Sequence, residues 1–373
     1  MYPVTTIALS SLVSLSLAKS LWVDTTPQSP QPYALKKGRG IALGSGDTWN
    51  TFPITGNSSG KAFTLMNTNG PGFGIGATPS LSPHVHLKTY ENFYTAKGRV
   101  QLWGQNFDSY KANTSEQTTR VLGPGDFGGI PTNTIHTFIM LEPDTQLSGV
   151  LVPGGFEEFF FNVATNPVSG PGGNDTVTPG LNFSDLPRWD VYPQLDFQPR
   201  TDAKEGKAGP GDWYTGANDI PVDDQAPVWI AKNYGPKWLH EENGVYQIIA
   251  PLVMGQQTND LFSQGHITLS PKPESAVAPT MVSTQATAFM LEEGQLAVSI
   301  EGFATAHLID GDVVFVPPNS TFAYWAEAEF TKFMYISGGG DGLDAKLMQD
   351  ATSWASAFYP RSRSENVKRG IKI

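Results

Sequence analysis

PHVHLKTYENFYTAKG, residues 83–98, carries two histidines two positions apart and a glutamate five residues after the second. Side chains two positions apart on a β-strand project from one face, so His84 and His86 can point into the same interior. Glu91 lies at an odd spacing from both histidines, and it joins them only if the strand turns or breaks register over residues 87–89. An isolated pair of this kind is more often two surface histidines beside an unrelated acid, so a further ligand has to be identified.

His136 is the candidate for that further ligand. It lies one strand beyond the Gly125-Asp126 turn, in GDFGGIPTNTIHTF, and on a barrel it would face the same interior. The chain has 6 histidines and no cysteine, so any metal must be held by nitrogen and oxygen ligands. One divalent ion is therefore predicted, and the ligand types suit Cu(II), Fe(II), Mn(II), Ni(II), Co(II) or Zn(II), with copper favoured by the Irving–Williams order. The predicted ligand cluster is His84, His86, Glu91 and His136.

Short strand-like runs rich in β-branched and aromatic residues predict an all-β fold with a few short helices. Two blocks resemble each other: FYTAKGRVQLW and FMLEEGQLAVSIEG each lead to a Gly-Asp turn, at Gly125 and Gly311, and then to a turn that contains proline. Such a duplication predicts two copies of one small β-barrel. The best helix candidate covers residues 344–356.

The predicted organisation has five parts. They are a signal peptide (1–20), an N-terminal barrel with the metal site (21–165), a linker rich in Pro, Gly and Ser (166–201), a C-terminal barrel without metal ligands (202–345), and a C-terminal helix with a basic tail (346–373).

The second barrel is predicted to lack the metal because its matching positions are not ligands. Aligning Gly294 with Gly98 places Thr280, Val282 and Thr287 at the positions of His84, His86 and Glu91. Aligning Gly311 with Gly125 places Phe322 at the position of His136. The other histidines are then interpreted as structural or surface residues, namely His240, His266 and His307.

Two spacings in the first block resemble the two motifs of the cupin superfamily. H-x-H-x4-E-x6-G ends at Gly98, and G-x5-P-x-N-x2-H runs from Gly125 to His136. The chain departs from the second motif at Asn133, where glycine is usual, and at Met140, where asparagine is usual. Neither residue is a ligand. The resemblance implies a bicupin, in which two jelly-roll barrels are joined by a linker.

Longer blocks, among them TGNSSGKAFTLMNTN, GVLVPGGFEE and DVYPQLDFQPRTD, resemble the fungal quercetin 2,3-dioxygenases (flavonol 2,4-dioxygenases) over about residues 56–354. The resemblance implies a secreted glycoprotein with one copper in its N-terminal barrel. It also implies cleavage of the heterocyclic ring of flavonols such as quercetin with O₂, giving a depside and carbon monoxide. Glu91 would be both a ligand and the base that takes the proton of the flavonol 3-hydroxyl. The fungal family further suggests a homodimer.

The expected cavity wall around the flavonol consists of Met66, Thr68, Phe93, Phe138, Leu147 and Leu151. Phe93 and Phe138 each lie two residues from a proposed ligand and so share its face. For every wall residue, ordinary barrel core is the alternative interpretation. Where the fungal enzymes carry tyrosine, histidine and cysteine, this chain has Asn50, Thr89 and Thr95, which bears on the preferred flavonol.

Composition and the N-terminus bear on partners and location. The formal net charge of −11 argues against nucleic acid or an anionic membrane as a partner. The small-molecule partners that the resemblance implies are the flavonol and O₂. The apolar run from about Ile7 to Leu17 matches a secretory signal and is too short to span a bilayer. Five N-x-S/T sequons fit an extracellular glycoprotein, at Asn57, Asn113, Asn174, Asn182 and Asn319.

Two alternative functions are weighed against the flavonol dioxygenase. An oxalate-type decarboxylase or oxidase acts on a small acid, for which a buried Arg or Lys is expected, whereas the predicted wall is aromatic and aliphatic. A non-catalytic cupin that only binds a ligand has no need of a complete ligand cluster.

Overall fold

The computed structural model describes residues 18–45, 48–72, 82–163, 166–167 and 183–360. Strands dominate these residues, and the predicted all-β fold is confirmed. The first fifteen strands are β1 (Tyr33–Leu35), β2 (Ile41–Ser45), β3 (Thr48–Ile54), β4 (Thr64–Gly70), β5 (His84–His86), β6 (Tyr90–Lys97), β7 (Val100–Asn106), β8 (Thr118–Leu122), β9 (Phe127–Ile130), β10 (Thr134–Met140), β11 (Thr145–Val152), β12 (Asn166–Pro167), β13 (Tyr192–Pro193), β14 (Lys207–Ala208) and β15 (Val228–Ile230).

The remaining strands belong mainly to the second barrel. They are β16 (Trp238–Glu242), β17 (Val245–Val253), β18 (Ser263–Leu269), β19 (Met281–Val282), β20 (Thr287–Glu293), β21 (Leu296–Ile300), β22 (Ala306–Leu308), β23 (Val313–Val316), β24 (Thr321–Ala326), β25 (Thr331–Ser337) and β26 (Thr352–Ser353). The helices are short: α1 (Gly56–Ser59), α2 (Phe107–Ala112), α3 (Glu157–Val163) and α4 (Leu343–Gln349), with 3₁₀ segments at Phe183–Trp189 and Gly255–Thr258.

Each barrel consists of two facing sheets. In the first barrel an eight-stranded sheet has the order β12-β2-β3-β4-β11-β6-β9-β15, and a six-stranded sheet has the order β13-β5-β10-β7-β8-β14. In the second barrel the orders are β1-β23-β20-β25-β18-β17-β16-β26 and β19-β24-β21-β22. The duplication predicted from sequence is therefore present in the sheets.

The matching glycine turns have a steric reason. Gly98, between β6 and β7, has φ 71°, and Gly294, between β20 and β21, has φ 86°. A Cβ at Gly98 would lie 2.4 Å from Thr145 Oγ1, and one at Gly294 would lie 2.2 Å from the carbonyl oxygen of Phe330. Only glycine fits this left-handed, closely approached backbone.

The two barrels exchange strands. β1, which precedes the first barrel, pairs with β23 of the second, and β15, which precedes the second barrel, pairs with β9 of the first. Residues from both arms and both barrels form one shared apolar core, including Tyr33, Leu35, Val228, Ile230, Phe127 and Phe315. The barrels are thus joined by hydrogen-bonded strands as well as by apolar burial.

Several segments near the predicted domain boundaries take part in the fold. Lys19, within the predicted signal peptide, forms a parallel bridge with Phe303. In the predicted linker, β13 pairs with β5 at the edge of the first barrel. The C-terminal helix α4 ends at Gln349, earlier than predicted, because the chain then turns into β26, which pairs with β16. The domain boundaries themselves stay predictions.

Other predictions lie partly outside the described residues, which exclude residues 1–17, Asn174, Asn182 and the basic tail from 361 onward. The sequon residues Asn57, Asn113 and Asn319 are all exposed. None of the helices in the described part of the chain has the length and apolar character needed to cross a membrane.

Candidate metal centre

Two adjacent strands and one facing strand bring the ligand cluster together. β5 pairs with β10 so that His84 lies directly opposite His136. Glu91 begins the inward face of β6, in the opposite sheet. The chain crosses from one sheet to the other over residues 87–89, which is the break in register that the spacing of Glu91 required.

The four side chains are close enough to share one ion. One potential ligand atom from each residue lies within 4.8 Å of those of the others. Glu91 Oε2 lies 3.1 Å from His86 Nε2 and 2.9 Å from His136 Nε2, and the rings of His84 and His136 are 4.4 Å apart. All three histidines are buried. In the described part of the chain, this is the one group of three or more such residues that could hold a metal ion.

Backbone carbonyls fix the orientation of the three imidazoles. In each ring Nδ1 donates to a backbone carbonyl oxygen. His84 donates to Ser82 (3.0 Å), His86 to Asp190 (2.6 Å) and His136 to Thr134 (3.0 Å). A carbonyl oxygen can only accept, so each Nδ1 carries the proton and each Nε2 faces the interior. This is the usual arrangement of metal-ligating histidines, whose other ring nitrogen is held by an outer partner.

The electrostatics of the cluster favour a cation at its centre. Burial and the neighbouring His136 and His86 hold the pKa of His84 well below its ordinary value. Burial opposes charge on Glu91, but its hydrogen bonds with His136 and His86 outweigh burial and hold the pKa of this carboxyl well below its usual range. Burial likewise lowers the pKa of His86, yet its hydrogen bond to Glu91 raises that pKa overall. A buried carboxylate thus lies within hydrogen-bond distance of two imidazole nitrogens, and this donor set of three nitrogens and one oxygen fits a divalent metal ion.

Most of the predicted cavity wall shares the inward face of the eight-stranded sheet. Leu151 lies opposite Glu91 and Leu147 opposite Thr95 on β6, while Met66 and Thr68 continue the same face onto β4. The wall residues divide between two apolar clusters, Phe93, Leu147 and Phe138 in one and Met66 and Leu151 in the other.

Phe93 lies close to one ligand and packs against Phe138. The Phe93 ring is 6.1 Å from that of His136 and 5.4 Å from that of Phe138. Sequence reasoning missed Phe156, whose ring lies 4.9 Å from His86 and which directly precedes α3. Its phenylalanine-rich surroundings, GGFEEFFFNV, were the available signal.

The residues that depart from the fungal pattern also lie at the site. Thr68 Oγ1 donates to Asn50 Oδ1 at 2.7 Å, so Asn50 faces the same interior. Thr95 is fully buried, and its hydroxyl has no hydrogen-bond partner in the described residues. Thr89 is buried in the crossing segment, and its backbone N–H donates to Asp190.

The second barrel carries no equivalent cluster, but the sequence alignment of its first two positions was wrong by one residue. His84 pairs with His136, and in β19 the residue opposite Phe322 is Met281, not Thr280. The counterpart of His86 is therefore Ser283, and both residues accept the same backbone bond, from Asn133 N and Asn319 N respectively. The loop that leads to Thr287 is one residue shorter than the loop that leads to Glu91, which the glycine anchors could not reveal.

The other histidines lie away from the ligand cluster. His266 is buried, with Nε2 2.7 Å from Glu292 Oε1, and His307 is exposed beside Glu327. His240 lies 3.9 Å from Glu242.

Sequence reasoning also missed Asp190, which was assigned to the linker. Its carbonyl accepts from His86 Nδ1, and its carboxylate accepts from the backbone N–H groups of Leu87 (3.0 Å), Lys88 (2.8 Å) and Thr89 (2.9 Å). No local pattern signals a contact made across more than 100 residues, although the DVYP run begins at this aspartate.

The chain is similar in sequence to two known proteins. The chain is 38% identical to quercetin 2,3-dioxygenase from Aspergillus japonicus over 354 residues, which is 91% of this chain and 98% of that protein. It is 30% identical to quercetin 2,3-dioxygenase from Bacillus subtilis (strain 168) over 143 residues, 38% of each chain. Among solved structures, oxalate decarboxylase from Lactobacillus farciminis superposes with a TM-score of 0.48 at 12% identity, over 82% of this chain and 85% of that one. No family model matches the chain.

Two jelly-roll barrels in one chain, one of them holding three histidines and a glutamate, define a bicupin with a candidate metal centre. Its near full-length similarity to the Aspergillus enzyme makes the assignment narrower. The chain belongs to the quercetin 2,3-dioxygenase family and is a dioxygenase, as its sequence motifs predicted.

Proposed function

We propose that this chain opens the heterocyclic ring of flavonols such as quercetin with O₂, releasing a depside and carbon monoxide. The observation that carries the proposal is the placement of Glu91 and three buried imidazoles beside apolar side chains inside the first barrel. A flat aromatic substrate matches a wall of phenylalanine, leucine and methionine because its burial removes apolar surface from water on both sides.

The residues of this chain have separate roles in the proposed reaction. The metal ion, held by His84, His86 and His136, supplies a Lewis acid and a redox centre when it is bound. Glu91 takes the proton of the flavonol 3-hydroxyl, which needs a carboxylate within hydrogen-bond reach of the substrate oxygen. Its position beside two imidazoles also lets it share the ion.

The apolar wall orients the substrate and excludes water. Phe93 lies 6.1 Å from the ring of His136, where a stacked flavonol would place its reacting ring, and Phe138 packs against Phe93 at 5.4 Å. Removing water strengthens the electrostatic interactions of Glu91 with the bound anion and protects the reacting carbon from side reactions.

The hydrogen bonds of Arg120, a buried side chain in the first barrel, favour a flavonol over a small acid as the substrate. Arg120 is fully buried, but its guanidinium donates to the carbonyl oxygens of Thr119, Ala208, Pro210 and Gly211 at 2.5–3.3 Å. Both terminal nitrogens are thus used by the fold, and only Nε has no partner among the described residues, which disfavours an oxalate-type activity.

The activity test uses the full chain loaded with metal and supplied with quercetin in air. We expect the flavonol absorbance to fall with release of one carbon monoxide for each flavonol consumed, because the reaction transfers both oxygen atoms to the remaining carbon skeleton. An unchanged spectrum with metal-loaded protein would contradict the proposal, and turnover of oxalate instead would favour the second candidate.

We propose copper as the ion, on the basis of affinity order and the nitrogen and oxygen donors of the cluster. Iron, manganese, nickel and cobalt fit the same donors. Elemental analysis of protein purified from its native host is the test, and a stoichiometric metal other than copper would overturn this assignment.

We propose that the protein is secreted, glycosylated and homodimeric. Secretion and glycosylation are supported by the N-terminal apolar run and by the exposure of Asn57, Asn113 and Asn319. The homodimer is suggested by the resemblance to the fungal family alone. N-terminal sequencing and enzymatic deglycosylation of protein from the culture medium test the first two points. Light scattering tests the dimer, and a monomer mass would contradict it.

A further inference from the structure

The segment that connects His86 to Glu91 carries one more residue than its counterpart in the second barrel. Four residues separate these two ligands, whereas three separate Ser283 from Thr287. In the second barrel the shorter loop is closed directly, since the two hydroxyl oxygens of Ser283 and Thr287 are 3.1 Å apart. The longer loop of the first barrel needs another means to hold Glu91 against His86.

Asp190 supplies that means from outside the barrel. Its carboxylate accepts the backbone N–H groups of Leu87, Lys88 and Thr89 at 2.8–3.0 Å, so three successive amides of the loop converge on one side chain. Successive amides that point at one anion form a concave binding site, and bonds to a charged acceptor are the stronger kind.

The same residue also orients a ligand. The carbonyl oxygen of Asp190 accepts the Nδ1–H of His86 at 2.6 Å, which leaves Nε2 facing Glu91. Asp190 therefore contacts the loop through its side chain and the imidazole through its backbone, and the two contacts can be separated by substitution.

The position of Asp190 is itself fixed on both sides. Its N–H donates to the carbonyl of Pro187 at the end of the 3₁₀ segment, and β13 follows immediately and pairs Tyr192 with Val85. Its φ of 62° is left-handed, a conformation that aspartate, asparagine and glycine tolerate better than other residues.

We propose that the Asp190 carboxylate is a positioning residue of the metal centre, which holds the loop between His86 and Glu91 in its ligating conformation. It does not touch the ion or the substrate. This inference rests on the proposed metal site and adds a residue from the connecting segment, 104 positions from His86, to its construction.

The test measures binding of Cu(II) and Zn(II) alone to full-length Asp190→Gly and Asp190→Asn, by competition with a chromophoric chelator. Both variants tolerate a positive φ and keep the carbonyl contact to His86. Loss of an outer partner of a metal site typically weakens affinity 10- to 100-fold. We expect about a 100-fold loss for Asp190→Gly and about 10-fold for Asp190→Asn, with an altered Cu(II) EPR spectrum in both.

Asp144→Gly is the matched control. Asp144 is an exposed aspartate with φ 57° that also accepts side-chain hydrogen bonds, from Asn69 and Lys97, away from the ligand cluster. Its variant should bind both metals like the wild type. Unchanged affinity and an unchanged EPR spectrum in Asp190→Gly would overturn the proposal. A lower melting temperature of the metal-free variant with unchanged metal affinity would also overturn it, because Asp190 would then stabilise the fold without positioning the ligands.

The readout separates this inference from the proposed function. Metal affinity is measured without flavonol, so loss of binding in the Asp190 variants stands whatever substrate the wild-type protein turns over. Conversely, normal quercetin cleavage by the wild type stands even if Asp190 has no effect on metal binding.

Discussion

The two barrels share their strands and turns, yet their interiors differ. In the first barrel Phe93 lies opposite Gly149, and in the second the matching Phe289 lies opposite Tyr335. Where His136 faces the first interior, Phe322 faces the second. The Phe289 ring lies 5.0 Å from Phe333 and 5.6 Å from Tyr324.

The difference shows that polar ligands inside a barrel replace apolar packing and carry a desolvation penalty. The second barrel fills its centre with aromatic side chains, each of which buries a large apolar surface. The first barrel places imidazoles and a carboxylate there, and polar groups in an interior need partners to offset their desolvation. Backbone carbonyl oxygens, that of Asp190 among them, and the proposed metal ion are those partners.

The largest effect on metal binding and turnover is expected when His136 is replaced by phenylalanine, the residue at the matching position of the second barrel. His136→Phe should abolish stoichiometric metal binding and lower flavonol turnover by more than about 10³-fold, because one of three imidazoles is lost and a bulky ring takes its place. Elemental analysis and carbon monoxide release measure both effects. The reverse variant Phe322→His should bind no metal beyond the one ion of the first barrel, and a fully loaded His136→Phe protein would contradict the comparison.

Glu91→Gln should separate metal binding from chemistry. Three histidines remain, so much of the metal should be retained, while turnover falls about 10²- to 10⁴-fold because glutamine cannot accept the 3-hydroxyl proton. The ratio of kcat to metal content is the measurement. Thr287→Ala, at the matching position of the second barrel, should leave that ratio unchanged, and normal turnover by Glu91→Gln would remove the base role.

Phe289→Ala tests the structural role of the second interior. Truncating a buried phenylalanine costs about 3–5 kcal/mol, since packing is lost and a cavity remains. Denaturant unfolding should show this loss, whereas the folded fraction should keep its metal and its kcat. A change in metal content of the folded protein would show that the second barrel supports the site more directly than the comparison assumes.

Gly149→Ala should have the smallest effect. A Cβ at this position would lie 3.2 Å from Met66 Cγ, so Met66 must shift slightly into the proposed substrate cavity. We expect KM for quercetin to rise about tenfold, which is the lower end for a one-carbon misfit, with metal content unchanged. If KM stayed constant, Met66 would not line the flavonol site.

Strand parity and glycine spacing were enough to predict the ligand cluster and the duplicated barrels, because both are local rules. The register of β19 was not predictable from them, since the glycine anchors lie after the loop that differs in length. Asp190 and the exchanged strands β1 and β15 were also missed. Their partners are distant in sequence, and a short strand with an aspartate beside it has no pattern that names a partner.

The exchanged strands have a consequence for synthesis. β1 emerges from the ribosome early, but its partner β23 begins only at Val313. Likewise, β9 cannot pair with β15 until the chain has been synthesised as far as Ile230. Until then the first barrel has an open sheet edge, which is a site for unwanted pairing between chains. The nascent chain should therefore depend on chaperones until its last third has been translated, and a fragment cut between the barrels should aggregate rather than fold.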